Sequence, residues 1–290
     1  NVAVPGIMVD YAVISPAEYH YQNFGNQPYD AALAHEFRVP VDSIPTLPMS
    51  DRKIIARRAA MELPRSAVIN LGIGIPEGVS GVAVEEGFAD ELTMTVEAGQ
   101  IGGVPAAGAA FGGAYNPEFV PGMISQFDFY DGGGLDVCFL GAAEVDAMGN
   151  CNVSKFTRTV GPGGFINIAS NTPKCVFCGT LTAGGLKTEV RDGRLVILQE
   201  GRNKKYVKQV KQVTFSSANA VKSGQDVLFI TERAVFRIDD QGVILTEIAP
   251  GIDLQTQVLD VIDFDVRVSP ELKLMDERIF REGPMGLALK

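Results

Sequence analysis

The sequence predicts an α/β fold: an open, mixed and largely parallel sheet flanked by helices, with a strand-rich C-terminal part. Three observations carry this. Residues 67–96 run as apolar strand, glycine-rich turn, helix and apolar strand, a βαβ pattern whose strands are parallel and right-handedly connected. From residue 174 onward strand-like runs dominate, parted by turn sequences such as Arg191-Asp-Gly193 and Asp239-Asp-Gln-Gly242. Hydrophobic residues at 46% and charged residues at 21% are the proportions of an ordinary globular chain.

Taken in order, the chain begins at Asn1 and is read as a processed product or a fragment. Residues 1–49 hold prolines 5, 16, 28, 40, 45 and 48, a density that forbids long helices. The aromatic run Tyr19-His20-Tyr21 with Phe24 marks this stretch as an extended arm lying on another surface. The domain proper is expected over 50–290. Ser50 is a candidate cap for a helix to about Leu63, with Ile54, Ile55, Arg58 and Met61 at helical spacing. Ala67–Leu71 reads as a strand, and Pro76 suits the first turn of a helix to about Glu86. Leu92–Val96 is the next strand. Residues 98–134 are glycine-rich with little periodicity and read as a long, ordered, functional loop. Leu135–Leu140 reads as a strand, 146–154 as a turn and re-entry, and 161–170 as a short segment. Strands follow at 174–180, 194–199, 206–215, 226–231, 234–239 and 243–248. Helices are expected at 253–263 and 270–277.

Composition narrows the function. The 290 residues carry a formal charge of −10, which argues against nucleic acid or an anionic membrane as the main partner. No stretch of about 18 apolar residues is present, and no basic segment leads an apolar one, so neither a membrane span nor a signal peptide is read; the location expected is cytoplasmic. The two histidines, His20 and His35, both lie near the start. A histidine base or a zinc cage beyond residue 35 is therefore not expected, and no metal site is. Cys175 and Cys178 form a CxxC, but they fall in an apolar strand without a second pair, so they read as buried thiols in a reducing compartment.

Three common nucleotide and hydrolase motifs are absent. No GxxxxGK[ST] occurs; Gly179-TLTA-Gly184-Gly185-Leu-Lys187-Thr has two residues too many. No GxSxG occurs, and Gly72-Ile-Gly74-Ile-Pro-Glu-Gly78 is one residue too long for a dinucleotide fingerprint. Glu97 is the sharper candidate. It follows the strand Thr93–Val96, and ligands of open α/β sheets bind beyond the carboxyl ends of strands. The Gly72 loop ends the neighbouring strand on the same edge. A strand-end glutamate paired with a lysine or arginine is the alternative.

These segments also carry a family resemblance. GIGIPEGV at 72–79, EAGQIGGVP at 97–105, LGAAEVDAMGNCNVS at 140–154 and GPGGFINIAS at 161–170 resemble the family I coenzyme A transferases. TLTAGGLKT at 180–188, ITERAVFRI at 230–238 and LTEIAPGIDL at 245–254 do so as well. The match runs from about 40 to 280 and is to the second, beta-type half of an acetate or propionate CoA-transferase, a NagB/RpiA-like fold. Val96-Glu97-Ala98-Gly99 departs from the Ser-Glu-Asn-Gly of other branches and favours the acetate type.

The resemblance implies CoA transfer between short-chain acyl-CoA and free carboxylic acids through a thioester on Glu97. It implies no tightly bound cofactor, with coenzyme A as substrate and transient adduct. Gly163 and Gly164 supply a candidate backbone oxyanion donor and Asn150 an amide donor near the nucleophile. Gly72, Ile73, Gly74, Ile75 and Pro76 match the segment lining CoA. Gly99, Gly102 and Gly103 leave room for the thiol end, or simply turn the chain. The first half would be the partner, within a homo-oligomer, and the 1–49 arm would join it. An acyl-CoA hydrolase and a non-catalytic CoA-ester sensor remain as alternatives.

Overall fold

A computed structural model describes residues 2, 4–20, 29–155 and 161–289. Its centre is a nine-stranded sheet made of β1 (Val68–Leu71), β2 (Thr93–Val96), β3 (Gln100–Ile101), β4 (Val137–Gly141), β5 (Lys174–Cys178), β6 (Asp226–Ile230), β7 (Ala234–Asp239), β8 (Gly242–Ile248) and β9 (Arg267–Leu274). The strand order is β9-β8-β7-β6-β5-β4-β1-β2-β3. β6, β5, β4, β1 and β2 are mutually parallel, whereas β3 and β7 turn back antiparallel. The chain leaves β1 toward β2 and later crosses to β4 on β1's other side. That reversal puts the switch point between β1 and β4, where an open sheet splays its loops around a ligand.

The helices are α1 (Asp51–Ala60), α2 (Gly78–Glu86), α3 (Met123–Asp131), α4 (Phe165–Asn171), α5 (Ser217–Ser223) and α6 (Leu254–Gln257). The Ser50 hydroxyl caps α1 by accepting from the Lys53 N–H, as expected. The parallel register sorts the two faces. Asn70 pairs with Thr95 and Cys138, and Cys138 with Cys175. This row faces α3 and α4, where Asn70 meets Tyr130 and the Cys175 thiol meets the Ala169 carbonyl. The alternate row, with Lys174, faces the α1 side, where Lys174 pairs with Glu62.

Several expected elements differ. The 98–134 loop contains α3, whose buried residues are Gln126 and Tyr130 while Met123, Ile124 and Phe129 are exposed. Its apolar pattern is inverted, so periodicity does not reveal it. Residues 206–215 form no strand; Tyr206 and Phe215 make single bridges to the 144–152 hairpin. The 253–263 helix is α6 followed by a short 3-10 turn over Leu259–Val261. Of the expected 270–277 helix, residues 270–274 are instead part of β9, an edge strand, where Pro270 is tolerated beside a register shift in β8, and Glu277 opens a 3-10 turn. Residues 187–191 form an unforeseen strand paired with 194–199. α5 is likewise unforeseen, and α2 begins at Gly78, with Pro76 in the turn before it.

Within the expected arm, described residues up to 20 are exposed, whereas Ala32 and Ile44 are buried and the Asn116 side chain clamps the backbone of Val39. Tyr21 and Phe24 lie outside the described residues.

Candidate active site

Glu97 follows the last residue of β2. The pleat that aims Thr95 toward α3 aims Glu97 the same way, two residues on. The carboxylate enters a pocket of about 540 Å³ lined by Ala98, Phe111, Gly112, Met123, Phe127, Gly163, Gly164 and Asn167. No side chain among the described residues pairs with it. Burial alone pushes its pKa up from the ordinary value.

The backing of Glu97 is unusually close. A methyl group at Gly164 would lie 2.5 Å from the Glu97 Oε2 and 2.6 Å from the Phe127 Cζ. Only glycine lets that backbone approach the carboxylate while Phe127 covers it. Phe127 is held in turn by an edge contact to Tyr130, ring centroids 5.7 Å apart. The Tyr130 hydroxyl is the hub of a buried cluster. It donates to the Thr95 Oγ1 at 2.8 Å and accepts from the Asn70 and Gln126 amides at 3.1 and 2.8 Å. β1, β2 and α3 are thereby locked together beneath the pocket.

The other expected residues divide. Gly163 and Gly164 line the pocket. Gly72, Ile73, Gly74, Ile75 and Pro76 follow β1, at the same end of the sheet. The Gly72 N–H donates to the Phe139 carbonyl, and Ile73 is 62% exposed. The buried Glu77 pins this loop by accepting from the Gly74 N–H at 3.2 Å and the Gly108 N–H at 3.0 Å. Gly99, Gly102 and Gly103 do not line the pocket. A methyl at Gly103 would fall 2.1 Å from the Tyr115 carbonyl, and the space beside Gly99 is taken by the Gly122 backbone. These glycines sit where the chain passes close to itself.

Asn150 is not brought to Glu97. Its amide donates to Asp146 at 3.0 Å and its oxygen accepts from the Ser217 N–H and hydroxyl, each at 3.1 Å. Its neighbour Gly149 lies against Ile238, on the part of β7 beside the amino end of β6. The residue pins a turn at the opposite end of the sheet from Glu97.

No protein-family model matches the chain. It is 49% identical over 290 residues to acetate CoA-transferase YdiF of Escherichia coli K12, covering 100% of this chain and 54% of that protein. It is 46% identical over 293 residues to caffeate CoA-transferase of Acetobacterium woodii, covering 99% and 56%. The crystal structure of the acyl-CoA transferase YdiF from E. coli O157:H7, a thioester complex with CoA, superposes with a TM-score of 0.87 at 47% identity, covering 99% of this chain and 53% of that one. Over its whole length the chain is similar to one part of these CoA-transferases. It spans about half the length of the curated relatives it matches.

Sequence reasoning missed the pocket residues Phe111, Met123, Phe127 and Asn167, which come from the 98–134 loop, from α3 within it and from α4. It also missed Lys205. The Lys205 Nζ lies 2.5 Å from where a methyl at Gly179 would be, just past the carboxyl end of β5. It forms no ion pair among the described residues, and burial lowers its pKa to about 8. A single lysine within Lys204-Lys205 carries no signal of this in the sequence.

Proposed function

We propose that this chain carries the nucleophile of a CoA-transferase working by a ping-pong mechanism. The Glu97 carboxylate attacks the carbonyl of the donor acyl-CoA, and the CoA thiolate leaves, giving a mixed anhydride. The thiolate then attacks the Glu97 carbonyl, expelling the donor acid and leaving a glutamyl-CoA thioester. An acceptor acid runs the same steps in reverse. Nothing is oxidised or reduced overall. The observation that carries this reading is Glu97 itself, a half-buried carboxylate that no cation among the described residues pairs with, at a strand's carboxyl end and pressed against the Gly164 backbone.

A carboxylate is a weak nucleophile, so position and loss of hydration must do the work. A backbone N–H of Gly163 or Gly164 is the candidate donor to the oxyanion. The 72–76 loop and Lys205 border the same sheet end, and the lysine is the cation offered to the phosphates of CoA. The remaining half of the protein completes the site, and the exposed residues before 20, with Ile7, Tyr11 and Ile14 bare, are the segment assigned to that contact. Residues 50–290 form the domain that meets it.

The test uses the complete enzyme with both halves. Incubation with an acyl-CoA, borohydride reduction and peptide mass spectrometry should show Glu97 converted to its alcohol. An unmodified Glu97 in enzyme shown to bind acyl-CoA would overturn the reading in favour of a sensor. Loss of CoA ester without any acceptor acid would favour a hydrolase.

A further inference from the structure

Resting on that reading, a residue that does not line the pocket can be given a part in the reaction. Glu77 is 5% exposed, and no cation among the described residues pairs with its carboxylate. Burying such a group is costly, and an apolar side chain would seal the same space without that cost. Two backbone donors offset it, and they come from two different loops. Oε2 accepts from the Gly74 N–H at 3.2 Å and Oε1 from the Gly108 N–H at 3.0 Å.

The two loops do different work. Gly74 lies in the 72–76 loop after β1, the segment read as bordering CoA. Gly108 opens a 3-10 turn, Gly108–Ala110, and the next residue is Phe111, which with Gly112 lines the Glu97 pocket. This turn is the tip of a hairpin whose base pairs Val104 with Tyr115 and Pro105 with Ala114. Within the tip the Ala110 N–H donates to Ala107, the Phe111 N–H to Gly108 and the Gly113 N–H to Ala110. Those bonds fix the tip's shape but not where it leans. Glu77 fixes that from a backbone that is itself held, since its carbonyl accepts from the hydroxyl of the buried Ser80 at 2.8 Å.

We propose that Glu77 is a positioning residue for the transfer: its carboxylate clamps the hairpin tip to the 72–76 loop and so sets the Phe111 wall against bound CoA. A carboxylate suits this task because it only accepts, with one oxygen for each loop. Glutamine keeps one acceptor oxygen and turns an N–H against the other N–H. Aspartate is one methylene too short to bridge both.

The experiment uses the complete enzyme with acetyl-CoA as donor and propionate as acceptor. It measures kcat and the acetyl-CoA KM separately, together with the borohydride trap at Glu97. In Glu77→Gln and Glu77→Asp each loop keeps its own shape, so CoA should still bind and KM should change by less than about threefold. The reacting groups are misplaced, so kcat should fall about 10- to 100-fold. Because the clamp acts through Phe111, Glu77→Gln should cost less than about threefold in kcat in a Phe111→Ala background. A merely structural role would lower the melting midpoint and leave this coupling at zero. A kcat near that of wild type in both variants, an equal loss with and without the Phe111 ring, or failure of both variants to fold would each overturn the proposal; a thioester still trapped at Glu97 of the wild type would then leave the transferase reading intact. No adduct at Glu97 in wild-type enzyme shown to bind acetyl-CoA would overturn both.

Discussion

Glu97 is held where its charge is disfavoured, and that has a pH signature. Its pKa is raised above the ordinary 4.5 by burial. Below the unfolded value the group is protonated in both states and costs nothing. As pH rises through the interval up to the raised native value, the unfolded chain ionises first and stability falls. Above that value the full penalty stands. Glu97→Gln should therefore melt higher than wild type at pH 7, with the difference vanishing below about pH 4, as read by calorimetry across pH. The same variant should abolish exchange, the usual exchange of stability for function at a strained site. Gly164→Ala tests geometry instead of charge. Its methyl must displace either Glu97 or Phe127, so exchange should fall by about 100-fold or more with the fold retained; circular dichroism and steady-state rates on one preparation check both parts.

At the scale of elements, the pocket depends on α3, and α3 depends on a polar cluster. Tyr130→Phe removes the acceptor of two buried amides and a donor to Thr95. Leaving those groups unsatisfied should cost about 1–3 kcal/mol in urea unfolding. The exchange rate should fall as well, because Phe127 rides on the same helix. This is also where legibility in the sequence divides. The β1–α2–β2 unit was readable because buried parallel strands are continuous apolar runs, and because glycine and proline mark the turn between them. α3 was not, since it buries Gln126 and Tyr130 and leaves Met123 and Ile124 bare. Glu97 was readable from its place at a strand end. Asn150 was misplaced because a motif says which residues recur together, not which end of a sheet they occupy.

At the scale of the molecule, the last residues are tied back to the first helices of the domain. The buried Arg57 donates to the carbonyls of Ile279, Arg281 and Gly283, and Glu86 accepts from the N–H groups of Met285 and Leu287. Since α2 follows directly on the 72–76 loop, this clasp steadies the site from behind. Arg57→Met leaves three carbonyls without this donor, while Glu85 keeps Lys53 at 2.7 Å, and should cost about 1–3 kcal/mol, the scale of buried acceptors left unsatisfied. A lowered denaturation midpoint with unchanged slope would mark a loss confined to the native state.

The four cysteines are free and buried, in the strands and the hairpin at the core. Burial lifts the Cys178 thiol to about 12 and Cys151 well above its ordinary value. All four are closed off from a reagent until the sheet opens. The wild-type chain is thus a silent background for labelling chemistry. One cysteine added on the exposed stretch before residue 20 would carry a fluorophore alone, and its colour would report in real time whether that stretch becomes covered in the way proposed for it.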